Sequence, residues 1–134
     1  MSDKMDLSSA DLAYESSEIK IKVNRNHPDL PEEGVIVDMS GDLNLYSTPN
    51  LKTIITKLMD GGYTKFFVNM ESLKYIDSSG LGAFLSFQSK LLKMQGFIRI
   101  CSPSKQVSAV LELTKLKSML RVSRTVDDAI FNRT

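Results

Sequence analysis

The stretch Tyr75-Ile76-Asp77-Ser78-Ser79-Gly80-Leu81-Gly82 decides how the chain is read. The apolar run Phe66-Phe67-Val68 precedes it, and a helical pattern follows to about Met94. Being short, polar and glycine-bearing, the stretch reads as the loop that ends a strand and opens a helix. A helix start leaves backbone N–H groups without partners. Asp77, Ser78 and Ser79 are residue types whose side-chain oxygens satisfy such groups. The same N–H groups and the helix dipole favour negative charge, so the loop can display a serine hydroxyl and retain a phosphate placed on it. Asp-Ser-Ser-Gly alone is a common helix start. The two glycines add to it. A glycine in a helix interior costs about 1 kcal/mol relative to alanine, and a capped helix has no need of Gly80 and Gly82. They leave the loop and first turn without side-chain bulk, which suits close approach by another protein.

The flanking elements follow from periodicity. Ile19, Ile21 and Val23 alternate with Glu18, Lys20 and Lys22, the period of a strand with one wet face. Asn24–Gly34, with Pro28 and Pro31, reads as a loop. Val35–Met39 is a second strand and Gly41–Ser47 a loop. Ser47 or Thr48 then caps a helix with Pro49 in its first turn. Leu51, Ile54, Ile55, Leu58 and Met59 form that helix's core face, and Asp60-Gly61-Gly62 ends it. Lys65–Asn69 is a strand buried on both faces. The helix after Ser78 places Leu81, Phe84, Leu85, Leu91 and Leu92 inward. Phe97–Cys101 is a strand, and a further helix starts at Ser102-Pro103 and buries Val107, Val110, Leu111 and Thr114. Met119–Val122 is a short extended piece and Val126–Phe131 a last helix. This order predicts an α/β domain with one mixed sheet of four to five strands and helices mainly on one face. Residues 1–17, polar with Leu7, Leu12 and Tyr14 as their larger apolar groups, read as a tail able to form a short helix over Leu7–Tyr14. Residues 18–134 form the domain.

Tyr75–Gly82 resembles the signature of STAS domains, in particular the bacterial anti-sigma factor antagonists. The resemblance extends to Gly41-Asp42-Leu43-Asn44 with Ser47-Thr48-Pro49, and to Ile98-Arg99-Ile100-Cys101-Ser102-Pro103. It covers about Ile19 to Phe131. It implies that Ser78, the first hydroxyl residue after the aspartate, is a phosphoacceptor. It also implies a partner-binding surface made of Asp42, Asn44, Asp77, Ser79, Gly80, Leu81 and Gly82. The family often has aspartate where this chain has Asn44. By resemblance the partner is an anti-sigma factor that is also a serine kinase of the histidine-kinase-like ATPase type, and a PP2C-type phosphatase reverses the modification. STAS domains also serve as non-switching modules of anion transporters, lipid-transport complexes and stress-signalling assemblies, which is the alternative reading.

Composition bounds the rest. The 134 residues fit one domain able to bury roughly two-thirds of its unfolded surface. Seventeen basic and sixteen acidic side chains give a net charge of +1, which argues against a nucleic-acid partner. A single cysteine permits no internal disulfide and fits a reducing compartment. No basic segment followed by an apolar run opens the sequence, and no apolar stretch reaches the length of a membrane span. The expectation is a cytoplasmic protein, no membrane partner, and no cofactor. One histidine and one cysteine make neither a zinc site nor a catalytic triad. His27 reads as a solvated loop residue, Cys101 as a small buried hydrophobe, and Asp127-Asp128 as helix N-terminal charge. Phosphate-cradle and dinucleotide-binding glycine patterns are missing, so a nucleotide-binding domain is disfavoured and no catalytic or metal-ligating residue is expected.

Overall fold

A computed structural model describes residues 13–133. The sheet has six strands: β1 (Ala13–Glu15), β2 (Ile19–Asn24), β3 (Gly34–Leu43), β4 (Lys65–Ile76), β5 (Phe97–Cys101) and β6 (Arg121–Ser123). They lie side by side in chain order. β1 and β2 pair antiparallel, as do β2 and β3, and every later pair is parallel. The helices are α1 (Thr48–Asp60), α2 (Ser78–Leu92), α3 (Lys105–Leu113) and α4 (Val126–Ile130). The mixed sheet agrees with the sequence reading, but its strand number does not. The extra strand is β1, formed inside the stretch read as a tail. Residues 1–12, which hold most of the Leu7–Tyr14 helix expected there, lie outside the described residues.

Each parallel strand is added on the same side of the last. Crossovers of one hand then bring α1, α2 and α3 onto one face. β2 contributes its apolar alternation to that face, with Ile19, Ile21 and Val23 buried and Lys20 and Lys22 exposed. The large core joins these residues to Val35, Val37, Phe66, Val68, Ile98 and Ile100 from the sheet. The helices add Leu51, Ile55, Leu58, Leu81, Phe84, Phe87, Leu91, Val107 and Leu111. The other face has a small core of Ile36, Phe67, Cys101 and Ala129, covered by α4. β4 is therefore buried on both faces over Phe66–Val68, as its unbroken apolar run requires. Among the described residues no helix is long and apolar enough to cross a membrane.

Boundaries moved where polar residues sit in strands. β3 runs on through Ser40 into Gly41 and Asp42, the latter two read above as the start of a loop, and β4 runs on from Asn69 to Ile76. The β3–β4 ladder shifts register twice, between Asp38 and Ser40 and between Gly41 and Asp42. Gly41 has a φ of +98°, and a side chain there would run into the carbonyl of Glu18, the residue just before β2. Two inward assignments fail: Leu92 and Thr114 are exposed, because α2 and α3 end at or before them.

His27 is not solvated. Its side chain is 15% exposed, and its Nε2 lies 2.7 Å from Asp127 Oδ1. The Asn24–Gly34 loop is thus tied to α4, and Leu30 packs on the small core. Arg99 holds the other end of α4 by donating to the Ala129 carbonyl at 2.8 Å.

Cys101 is fully buried, as a small hydrophobe should be. Burial pushes its thiol from 9.0 up to about 12, against an opposing pull from Arg99. The native thiol should therefore resist alkylation at pH 8.5 and react on denaturation. Because the folded state holds this proton more tightly, its contribution to stability is complete below pH 9.0 and is lost as pH rises toward about 12. Native-state alkylation at the denatured rate would contradict this burial. A Gly41→Ala change should destabilise by roughly 1–3 kcal/mol, the cost of a strained backbone, measurable by urea unfolding.

Candidate functional site

β3 and β4 end together, with Leu43 paired to Ile76 in their last rung. Both chains turn there, into α1 and α2 respectively. Asp77 caps α2, its Oδ1 accepting from the backbone N–H of Ser79 at 2.9 Å and Gly80 at 3.3 Å. Its other carboxylate oxygen accepts from the Leu45 N–H at 3.1 Å. The Asp77 N–H donates in return to the Leu43 carbonyl at 3.1 Å. One residue thus fixes both turns to each other.

Ser78 is the first residue of α2 and is exposed, and Ser79 is partly exposed. Their order follows from the cap: once Asp77 takes the extended conformation of an N-cap, Ser78 stands at the rim and Leu81 points inward. Gly80 and Leu81, expected on the binding surface, are buried. Gly80 packs over Leu43, whose Cδ2 would lie 2.7 Å from a Cβ added there. Leu81 is 6% exposed and belongs to the core. Both are structural supports of the surface. Gly82 is exposed, and a Cβ there would meet nothing within 4 Å. It alone of the two glycines leaves the surface bare.

Asn44 makes the second turn rigid. Its Oδ1 accepts from the N–H of Tyr46 at 2.9 Å and of Ser47 at 3.1 Å. Its Nδ2 donates to Glu18 Oε1 at 2.9 Å, a bond an aspartate could not supply. Ser47 is buried. Its hydroxyl donates to the Asp42 carbonyl at 2.8 Å and accepts from the Asn44 N–H at 2.9 Å. Ser47 therefore closes the turn before α1 instead of capping it with its side chain. Asp42 is half-buried at the strand end. The structure brings Asp42, Asn44, Asp77, Ser78, Ser79 and Gly82 to one end of the sheet.

Two residues missed in the sequence stand on the same turn. Leu45 is 64% and Tyr46 is 76% exposed. The signal for them was the Asn44…Ser47 turn itself, which places positions 45 and 46 at its tip, outside both the strand and the helix periods. Chemically the site offers an accessible hydroxyl, two carboxylates and an apolar tip. Among the described residues no group of three or more His, Cys, Asp or Glu is placed to hold a metal.

The STAS domain model matches residues 19–129. The anti-sigma-B factor antagonist of Staphylococcus aureus is 30% identical over 87 residues, covering 65% of this chain and 81% of the relative. An anti-sigma factor antagonist from Mycobacterium paratuberculosis superposes with a TM-score of 0.73 at 19% identity, covering 86% of this chain and 93% of the other. The anti-sigma factor antagonist SpoIIAA in its unphosphorylated form gives 0.69 at 23% identity, covering 84% and 94%. The phosphorylated form from Bacillus gives 0.63 at 22% identity, covering 84% and 97%. With a six-stranded sheet, a capped α2 and a family match that spans nearly all of it, the chain belongs to the STAS domain family.

Proposed function

We propose that this chain is an anti-sigma factor antagonist that acts in the cytoplasm. Its unmodified form binds an anti-sigma factor and so frees the sigma factor that the anti-sigma factor holds. Phosphorylation of Ser78 ends the binding. The observation that carries this reading is an exposed serine at the first position of a capped helix, in a chain related to named antagonists. The partner is a serine kinase of the histidine-kinase-like ATPase type, and a PP2C-type phosphatase restores the hydroxyl. In the transfer the Ser78 oxygen bonds to the γ-phosphorus of ATP, the bond to ADP breaks, and the hydroxyl proton passes to a base of the kinase. This chain supplies the hydroxyl and its placement; the nucleotide, magnesium and base come with the partner.

The switch is electrostatic. A phosphoserine carries roughly −1.5 to −2 charge near neutral pH. After transfer it faces the phosphates of ADP across the interface, beside Asp77. Like charges brought together at an interface cost several kcal/mol, and about 1.4 kcal/mol is tenfold in affinity. The modified protein is therefore released.

Incubation with the purified kinase and ATP should label Ser78, and Ser78→Ala should take up none. Label confined to another residue would reject the assignment. Ser78→Asp should bind the kinase at least tenfold more weakly with an unchanged melting temperature. Gly82→Ala separates packing from stability. With open space at the position, alanine should leave the fold as stable or raise its stability by up to about 1 kcal/mol. If the partner approaches this bare turn closely, the same change should weaken binding. A stabilised variant with full affinity would remove Gly82 from the contact surface.

A further inference from the structure

We propose that Leu45 and Tyr46 are the apolar anchors by which the Ser78 surface selects its partner, entering a hydrophobic cleft beside the partner's nucleotide site. The inference rests on the reading of Ser78 as the acceptor and names what decides which kinase docks. Exposed apolar side chains scattered singly are ordinary on a protein surface. These two are adjacent, 64% and 76% exposed. They also sit on a turn with no slack. The N–H of Leu45 is held by Asp77 and that of Tyr46 by Asn44. The turn is closed behind them by the buried Ser47 hydroxyl. A rigid tip loses little conformational freedom on binding, so more of the apolar burial appears as affinity. Tyrosine is among the residues that most often dominate interface energetics.

The bond from Leu45 to Asp77 makes this tip continuous with the start of α2. A protein that places its active site on Ser78 meets the tip in the same encounter. A second copy of this chain fits the surface poorly. A two-fold interface would set the patch against itself, and with it Asp42 and Asp77. Residues 41–51 and 75–89 contain no lysine or arginine to offset those carboxylates. Facing like charges disfavour such a pair. The remaining occupant is the kinase, with an apolar cleft sized for one aliphatic and one aromatic side chain.

The test uses the full chain with Leu45→Ser, Tyr46→Ser and Tyr46→Phe, against the purified serine-kinase anti-sigma factor of the same genome. Both serine variants should raise the Kd and the KM for phosphorylation tenfold or more. They should leave kcat and the melting temperature near those of the parent protein, since neither side chain packs in the core. Tyr46→Phe should restore near-parental affinity, because the ring and not the hydroxyl makes the contact. Unchanged KM in both serine variants, with Ser78 still labelled, would overturn the anchors and leave the acceptor reading standing. Failure of the parent protein to be labelled on Ser78 would overturn both. Sedimentation of the unmodified chain supplies the remaining arm: a dimer that Leu45→Ser or Tyr46→Ser dissociates would assign the tip to self-association and overturn the proposal.

Discussion

The surface depends on one carboxylate. Asp77 accepts three backbone N–H groups, two from α2 and one from the turn before α1. A helix cap of this kind contributes about 0.5–2 kcal/mol, and bonds to an ionised acceptor are the stronger sort. Its larger consequence is geometric. Without Asp77, the turn carrying Leu45 and Tyr46 and the helix carrying Ser78 would be two loops joined only through the strands below them. With it they are joined into a single preformed surface.

That carboxylate works only because β3 and β4 end in register. Parallel strands followed by helices place their carboxyl ends and the succeeding turns on one edge of the sheet, where such folds build their sites. Here the last rung is Leu43 against Ile76. The buried Leu43 side chain lies under Gly80, leaving no room for a Cβ there. The small residue in the helix start is thus demanded by packing from below, and the backbone bond from Asp77 to Leu43 fixes the spacing. Core, strand end and cap form one continuous chain of contacts that ends at the serine hydroxyl.

How much of this could be read from the sequence differs by element. The Asp77 cap, the exposed serine after it and the core faces of α1 and α2 were legible, because capping chemistry and helical period are local. Phe87 was not singled out, although it is buried on the same helix. The ends of β3 and β4 were not legible. Ser40-Gly41-Asp42 looks like a turn. Its strand pairing comes from Ile19 and Lys20 on one side and from Ser72, Leu73 and Tyr75 on the other, together with a left-handed glycine. The register shifts also break the alternation in β4, where Leu73 and Ile76 are buried three residues apart. His27 and Asp127 stand 100 positions apart, and no local pattern joins them. Gly80 and Gly82 looked alike in the sequence, and only their neighbours in space separate a packing glycine from an open one.

The same geometry explains why a charge at Ser78 should act on a partner and not on the fold. Asp77 already occupies the N–H groups of Ser79 and Gly80, and the Leu81 N–H bonds to the Asp77 carbonyl. A phosphate on Ser78 would find the nearest donors in use and would have to displace a tightly held carboxylate to reach them. Nor would it disturb packing, since Ser78 is exposed while Gly80 and Leu81 below it are buried. The added charge is left facing solvent, with the helix dipole partly favouring it. In water that costs the protein little. It becomes expensive when a neighbour removes the water, because the energy of two facing charges grows as the effective dielectric constant falls. The penalty would therefore be felt in the proposed complex, where a partner covers Ser78.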